Sequence, residues 1–467
     1  MGETRAELEA VLRQAGQRHV LRFYDRLDPQ GQMALAEQIR SIDFKLLERL
    51  ASPEPDLDIG HADIEPAGFL RRPDRGGDEG RWREAREAGL EALARGRAAA
   101  FVVAGGQGTR LGFDAPKGCF PIGPVTERTL FQVHSEKVLA ASRRFEKAIP
   151  FLVMTSSAND EATRRFLEEN RFFGLESGDV RVFRQGEMPA VDKHGKLILD
   201  RPDHIFMSPN GHGGSLKALW DSGAIKWLEE RGVELISYFQ VDNPLVKVID
   251  PAFLGFHIIE NAEVSLKLLE RTIPDEKLGI WVRTNGRKRV IEYIDMPAEK
   301  MAERDEDGNL RYKGGSIAIN CFSVSFVRRL NEKGFQLPFH RASKKIPHLD
   351  ESGRTVEPES PNGTKFETFV FDSLLFTDRA VGVETLRREE FSPVKNAEGV
   401  DSPQTARRDM SRLYADWLKG AGVGVPTDEH GYPPFALEIS PLYADGPEAL
   451  SEVYDGPERI CASTVLE

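Results

Sequence analysis

The sequence predicts an α/β protein: a mixed sheet flanked by helices, with an N-terminal helical region and a small C-terminal domain. Three observations predict it. From about residue 96, short fully apolar runs alternate with amphipathic stretches, as strands covered on both faces alternate with helices. Between about residues 261 and 326 the apolar runs crowd together, which adds partly antiparallel strands. The first fifty residues and the tail beyond about 401 lack this alternation. The boundaries expected on this basis are 1–95 for the helical region with its linker, 96–400 for the main domain and 401–467 for the small one.

The N-terminal region reads as helical from Arg5 to about Leu50. Leu35, Ile39, Ile42 and Leu46 repeat at helical spacing, and Asp28-Pro29 supplies an N-cap followed by a proline at the first helical position. Residues 51 to about 80 are rich in Pro, Gly and Asp and read as a linker. "RWREAREAGLEALARG" then restarts a helix. The strand runs that follow include "AAAFVVA", "IPFLVMTS", "DVRVFRQ" and "VELISYFQVDN". Between them lie the helical stretches "ERTLFQVHSEKVLAASRRF" and "GGSLKALWDSGAIKWLEERG". The later runs are "EVSLKLLER", "LGIWVRT", "RVIEYIDM" and "SIAINCFSV".

Composition narrows the function classes. The 467 residues are 40% hydrophobic and 30% charged, with a formal net charge of -12. That balance disfavours duplex nucleic acid or an acidic membrane as partner, since phosphate backbones call for basic surface. No apolar run approaches the roughly 18 residues of a membrane span. "MGETRAELEAVLRQ" has no signal-peptide core and lacks the Ser or Thr of a myristoylation site. Cys119, Cys321 and Cys461 are scattered and odd in number, which reads as reduced thiols of a cytoplasmic protein.

The chemistry concentrates in "FVVAGGQGTRLGFDAPKG", residues 101–118. A strand enters a turn containing Gly105, Gly106, Gly108 and Gly112, with Arg110 and Lys117 beside it. Backbone N–H groups in such a turn make a phosphate site. The P-loop pattern fails because Phe113-Asp114, not Lys-Ser or Lys-Thr, follows the last glycine. The dinucleotide fingerprint fails because Gly106, Gly108 and Gly112 are spaced one residue too long. A ligand-free tight turn leaves the two cations unexplained.

"AGGQGTRLG" followed by "PKG" resembles the signature of sugar nucleotidyltransferases. "LRFYDRL", "PNGHGGSLKAL", "QVDNPLVKVIDPAFLGFH", "SKKIPHLDESG", "PNGTKFETFVFDSL" and "FSPVKNAEGVDSPQTARRDM" extend the likeness over nearly the whole chain. The last three segments resemble the UDP-N-acetylhexosamine branch of the UDP-sugar pyrophosphorylase family. The resemblance implies a Rossmann-like, GT-A-like nucleotidyltransferase fold. It implies that UTP and a sugar 1-phosphate, N-acetylglucosamine 1-phosphate in the first place, give a UDP-sugar and pyrophosphate. It also implies dependence on Mg²⁺ or Mn²⁺ and a monomer or homodimer. A glucose or broad-specificity enzyme, a dinucleotide oxidoreductase and a non-catalytic nucleotide sensor are the alternatives.

The implied roles map onto residues of this chain. Ala104, Gly105, Gly106 and Gly108 cradle the nucleotide. Arg110 and Lys117 face the reacting phosphates. Asp242, at the carboxyl end of a strand, where ligands gather in an open sheet, holds the metal. Gln185 reads uracil, with Gly211 and Gly213 letting base and sugar approach. Lys345 (or Lys344) reaches UTP. Glu292, Tyr293, Asn320 and His212 line the sugar, and Lys395 holds its phosphate. Asp372 is either a second metal ligand or, by the stronger reading, a helix cap or buried ion pair. His212 departs from the N-acetylhexosamine pattern: this chain reads Gly-His-Gly-Gly where that branch tends to carry Asn, which bears on the sugar rather than on the reaction.

Overall fold

The computed structural model describes residues 5–51, 63–335 and 337–467. Contacts divide the chain into two units interleaved along the sequence. One comprises the described residues of Met1–Asp58, Gln185–Lys217 and Gln336–Asp372; the other, those of Ile59–Arg184, Ala218–Phe335 and Ser373–Glu467. This grouping does not follow the sequence-order boundaries at 95 and 400, because contacts join segments far apart in the chain.

The larger unit carries a ten-stranded mixed sheet. Its main path runs Ile64–Pro66, Gly279–Thr284, Gly314–Ser323, Leu235–Gln240, Ala98–Val103, Phe151–Thr155, Val180–Arg184. The last four strands are parallel to one another. Ala98–Val103, Phe151–Thr155 and all but the last residue of Leu235–Gln240 are buried, which is why they read as unbroken apolar runs. Gly314–Ser323 runs antiparallel to Leu235–Gln240 and to Val264–Glu270. Ala380–Glu384 continues the sheet beyond Val264–Glu270, and Arg287–Ile291 pairs with Gly279–Thr284. The crowded strands expected between 261 and 326 are therefore mainly antiparallel.

The stretch expected as a linker is partly structural. Residues 52–62 lie outside the described part, but Ile64–Pro66 forms an edge strand on Gly279–Thr284 and Leu70 bridges to Val383. Buried Ile64 and Ala67 anchor a segment whose prolines and glycines masked its strand character. Residues after 400 form the helix Pro403–Gly420, the parallel strand pair Leu437–Ile439 and Thr464–Leu466, and the helix Pro447–Val453.

Parallel pairing sets the position of the functional loops. Gln240 stands beside Val103 in the register, so the glycine turn leaving Val103 and the Asp242 turn leaving Gln240 emerge side by side. Behind the sheet, the helices Glu79–Ala94 and Pro251–Ile259 cross at glycines. A Cβ at Gly89 would overlap the Pro251 carbonyl, and one at Gly255 would overlap the Ala85 carbonyl.

The smaller unit packs the helices Arg5–Gln14, Pro29–Ser41 and Phe44–Ala51 against short strand segments. Leu8, Leu12, Leu35, Ile39, Leu47, Ile205 and Phe366 share one core. Asp28 caps Pro29–Ser41 by accepting the Gly31 N–H at 2.7 Å, as read from Asp28-Pro29. Two glutamine side chains act as peptide groups: Gln17 donates to Gly195 O at 2.8 Å and accepts from Leu197 N–H at 2.9 Å, while Gln38 donates to Ile205 O at 3.2 Å and accepts from its N–H at 2.8 Å. Among the described residues no helix is long and apolar enough to cross a membrane.

Gly255→Ala should destabilise the protein by roughly 1–3 kcal/mol through overpacking, although alanine is the better helix former. A fall in the urea midpoint measures this; an unchanged or raised midpoint would contradict the close crossing.

Candidate active site

The glycine turn is held from inside the protein. Asn159 Nδ2 donates to the carbonyls of Ala104 at 2.8 Å and Gly106 at 3.2 Å. Ser156 Oγ donates to Gly105 O at 2.8 Å, and the Lys117 N–H donates to Gly106 O at 3.1 Å. Three successive carbonyls are thereby taken up by protein donors. Gly112 has φ +68, and a Cβ at Gly108 would strike Phe113; both glycines are demanded by the turn itself. Gly106 differs. It is exposed, its φ is not positive, and among the described residues the only neighbour a Cβ would meet is Lys117 Cε at 3.9 Å.

Lys117 lies over this opening and pairs with Asp242, Nζ to Oδ2 3.4 Å, both side chains less than a fifth exposed. Arg110 projects from the exposed short turn Thr109–Leu111. Burial pushes the Cys119 thiol up to about 12, out of nucleophilic range.

The Asp242 turn is saturated with hydrogen bonds from neighbouring elements. His134 Nε2 lies 2.9 Å from Val241 O, and Lys137 Nζ donates to Pro244 O at 2.6 Å and Val246 O at 2.8 Å. Both come from the helix Leu130–Phe145. The Val394 N–H donates to Asp242 O at 2.9 Å. Asn243, buried, donates to Glu390 O at 2.6 Å and accepts the Ser392 N–H at 3.1 Å. Lys395, exposed one residue beyond Val394, has its ammonium 5.7 Å from the Phe391 ring centre. Lys117, Asp242 and the backbone bearing Lys395 are thus one connected assembly. Ser156, Asn159, His134, Lys137 and Asn243 were not singled out from the sequence. The strand-end runs "TSSAND" and "VDNP" are the signals that could have pointed to three of them.

The sugar residues expected in the same unit are placed individually. Asn320 is buried in mid-sheet, in register with Tyr238 and Leu266. Glu292 and Tyr293 lie just past the strand Arg287–Ile291, where Asp295 and Met296 N–H groups close a turn onto Glu292 O. The run "RVIEYIDM" is therefore strand only as far as Ile291. Tyr293 packs against the apolar cluster that holds Ile280, Ile291 and Met296.

In the other unit, Gln185 follows directly on the strand Val180–Arg184. Gly211 (φ +81) and Gly213 are glycines for an internal reason: a Cβ on Gly211 would overlap the Thr368 backbone, and one on Gly213 the backbone of Thr368 and Phe369. His212 is half-buried, stacked on Phe369 at 5.3 Å, and its Nδ1 accepts the Val370 N–H at 3.1 Å. Burial, with the His340 ring adding to it, pushes it down to about 4. The ring is neutral near pH 7 with its proton on Nε2, a donor. Asp372 Oδ2 lies 2.7 Å from His340 Nε2. Lys344 ends the strand His340–Lys344 and Lys345 follows; both are exposed. Among the described residues no group of three or more His, Cys, Asp or Glu is placed to hold a metal ion.

A cation and a carboxylate set beside an open glycine turn, at the carboxyl ends of adjacent parallel strands, define a nucleotide-handling α/β protein. Comparison with known proteins narrows this. Residues 85–404 match the family model described as UTP–glucose-1-phosphate uridylyltransferase. UDP-N-acetylhexosamine pyrophosphorylase-like protein 1 of Homo sapiens is 35% identical over 486 residues, covering 97% of this chain and 95% of that protein. UDP-N-acetylglucosamine pyrophosphorylase of Saccharomyces cerevisiae is 32% identical over 433 residues, covering 88% and 90%. The crystal structure of the uridine diphosphate N-acetylglucosamine pyrophosphorylase from Trypanosoma brucei in complex with inhibitor superposes with a TM-score of 0.83 at 29% identity, over 100% of this chain and 99% of that one. The chain belongs to the UTP–glucose-1-phosphate uridylyltransferase family of UDP-sugar pyrophosphorylases, and is a nucleotidyltransferase.

Gly106→Ala should leave the melting temperature unchanged yet raise KM for UTP on the order of tenfold or more, because a ligand seated on the turn would be displaced. Equal KM values would take the nucleotide away from Gly106. Buried histidines set a pH dependence of stability. Burial holds His134 at about 3, His212 at about 4 and His257 at about 3, against an ordinary 6.5. The unfolded chain then binds protons that the folded chain refuses, so the histidines' contribution to stability is full above pH ~6.5 and falls on acidification toward pH ~4, by about 1.4 kcal/mol per unit per histidine. Urea midpoints at pH 7 and pH 5 should differ in that direction.

Proposed function

We propose that this chain condenses UTP with an N-acetylhexosamine 1-phosphate, N-acetylglucosamine 1-phosphate in the first place, releasing pyrophosphate. The observation that carries the reading is the Lys117–Asp242 pair at the open side of the glycine turn. The names of relatives matching most of the chain's length support the choice of sugar.

A phosphate oxygen of the sugar phosphate attacks the α-phosphorus of UTP in line. The α–β anhydride bond breaks, and pyrophosphate leaves with the electron pair. The nucleophile is already anionic, so no general base is needed. The obstacle is repulsion: two unit charges 4 Å apart repel by roughly 4 kcal/mol at an effective dielectric near 20. Catalysis is then positioning and charge neutralisation.

In this reading the amides of residues 104–108 seat the nucleotide, Arg110 and Lys117 face the α-phosphate and leaving pyrophosphate, and Lys395 holds the sugar phosphate. Gln185 reads uracil, Gly211 and Gly213 present backbone to base and sugar, and Lys345 or Lys344 reaches UTP. Glu292, Tyr293 and Asn320 serve the sugar, and His212 offers it an Nε2–H. Asp242 would hold Mg²⁺ or Mn²⁺. A single, partly exposed carboxylate fits an ion whose other ligands are phosphate oxygens and water. When bound, that ion supplies positive charge to the phosphates. His212 favours a second reading with glucose 1-phosphate, since a neutral ring donor can serve a hydroxyl as well as an acetamido oxygen.

Pyrophosphate release from UTP should be fastest with N-acetylglucosamine 1-phosphate in a panel of sugar 1-phosphates. Faster turnover of glucose 1-phosphate would favour the second reading, and UTP binding without turnover of any sugar would leave a sensor. Lys117→Ala should lower turnover by about 10²–10³ with an unchanged melting curve; a near-normal rate would remove Lys117 from the mechanism.

A further inference from the structure

We infer that Asn243 is a positioning residue that couples Asp242 to Lys395. The inference rests on the roles proposed for those two residues. It starts from three hydrogen bonds between the turn after Gln240 and the segment Glu390–Val394: Asn243 Nδ2 to Glu390 O at 2.6 Å, Ser392 N–H to Asn243 Oδ1 at 3.1 Å, and Val394 N–H to Asp242 O at 2.9 Å.

Spacing gives the set its meaning. The bonds fall on residues 390, 392 and 394, the alternation of a strand edge. The partner is not a strand, because the chain turns at Asp242. One side-chain amide stands in for a peptide unit, offering donor and acceptor in one plane. It is buried, where leaving either group unpaired costs most. The neighbouring Asp242 carbonyl adds the third bond. Lys395 comes next, and its own N–H is tied to Asp401 O at 2.7 Å.

Both ends of the clamp are fixed elsewhere. On one side, His134 and Lys137 hold the carbonyls of Val241, Pro244 and Val246. On the other, Glu390 accepts from Thr385 Oγ1 at 2.7 Å and pairs with Lys267, while Ser392 Oγ donates to Asp409 at 2.7 Å. Asn243 therefore sits between two rigid pieces, one bearing the carboxylate and the other the lysine. An error of about 1 Å between two such groups costs on the order of 10²-fold in rate. The residue acts through Lys395 and does not itself touch substrate.

A double-mutant cycle tests this. Asn243→Ala should lower kcat/KM for the sugar 1-phosphate by roughly 10²-fold while KM for UTP stays within about threefold. In a Lys395→Ala background the same change should cost less than about threefold, because the group it positions is gone. Equal losses in both backgrounds would overturn the inference and leave the role of Lys395 standing. A normal rate for Lys395→Ala alone would overturn that role, and the inference with it. Should Asn243→Ala fail to fold, Asn243→Asp carries the same cycle: it keeps the shape and the acceptor but sets an oxygen against Glu390 O.

Discussion

The active region depends on one constraint. A turn at the carboxyl end of a buried strand carries backbone carbonyls that water does not reach freely, and each needs a donor. After Gln240 the sheet no longer supplies them. His134 and Lys137 from one helix and Val394 N–H from another segment do so. The bonds that satisfy these oxygens are the same bonds that immobilise Asp242. The parallel register then sets that turn beside the glycine loop, whose own carbonyls are taken by Asn159 and Ser156. What a ligand meets is a surface whose hydrogen-bonding needs are already met on its inner side.

Charge is handled with the same economy. Lys117 and Asp242 are paired at 3.4 Å, longer than a tight charged hydrogen bond. Two partly buried opposite charges kept near each other avoid the penalty either would carry alone, yet the separation leaves each able to take a stronger partner. Polyphosphate suits the lysine and a divalent cation suits the carboxylate. A local pair of this kind governs what an anion meets even in a protein whose net charge is -12, because local placement outweighs the distant field once screening sets in at about 8–10 Å.

Carboxamides recur as joints. Gln17 and Gln38 fasten helices to strand segments in the smaller unit, and Asn362 both accepts from Ile346 N–H and donates to its carbonyl at 2.7 and 2.9 Å. Asn243 is the same device in the larger unit. An amide side chain matches a peptide group in donor, acceptor and plane, so it can continue a ladder where the chain has no strand to offer. It remains neutral at every working pH, and so it can be buried without the cost of a charge.

Much of this was legible in residue order. The apolar runs named the strands, since burial on both faces removes polar alternation. Asp28-Pro29 marked a helix start, and the glycine turn with Arg110 and Lys117 beside it, and Asp242 after a strand, stood out as candidates. Features that join distant parts of the chain were not legible. Ile64–Pro66 hid among prolines because an edge strand is stabilised by its partner, not by local propensity. Glu292 and Tyr293 read as strand because the turn that frees them closes through backbone bonds. Gly106 and Gly211 look alike in the sequence, yet one faces the flexible end of Lys117 and the other the backbone of Thr368. Asn243 reads as an ordinary turn residue until Glu390 and Ser392, nearly 150 residues away, arrive beside it. Local patterning is written in nearest neighbours, whereas a hydrogen bond across the fold exists only once the chain has brought its two ends together.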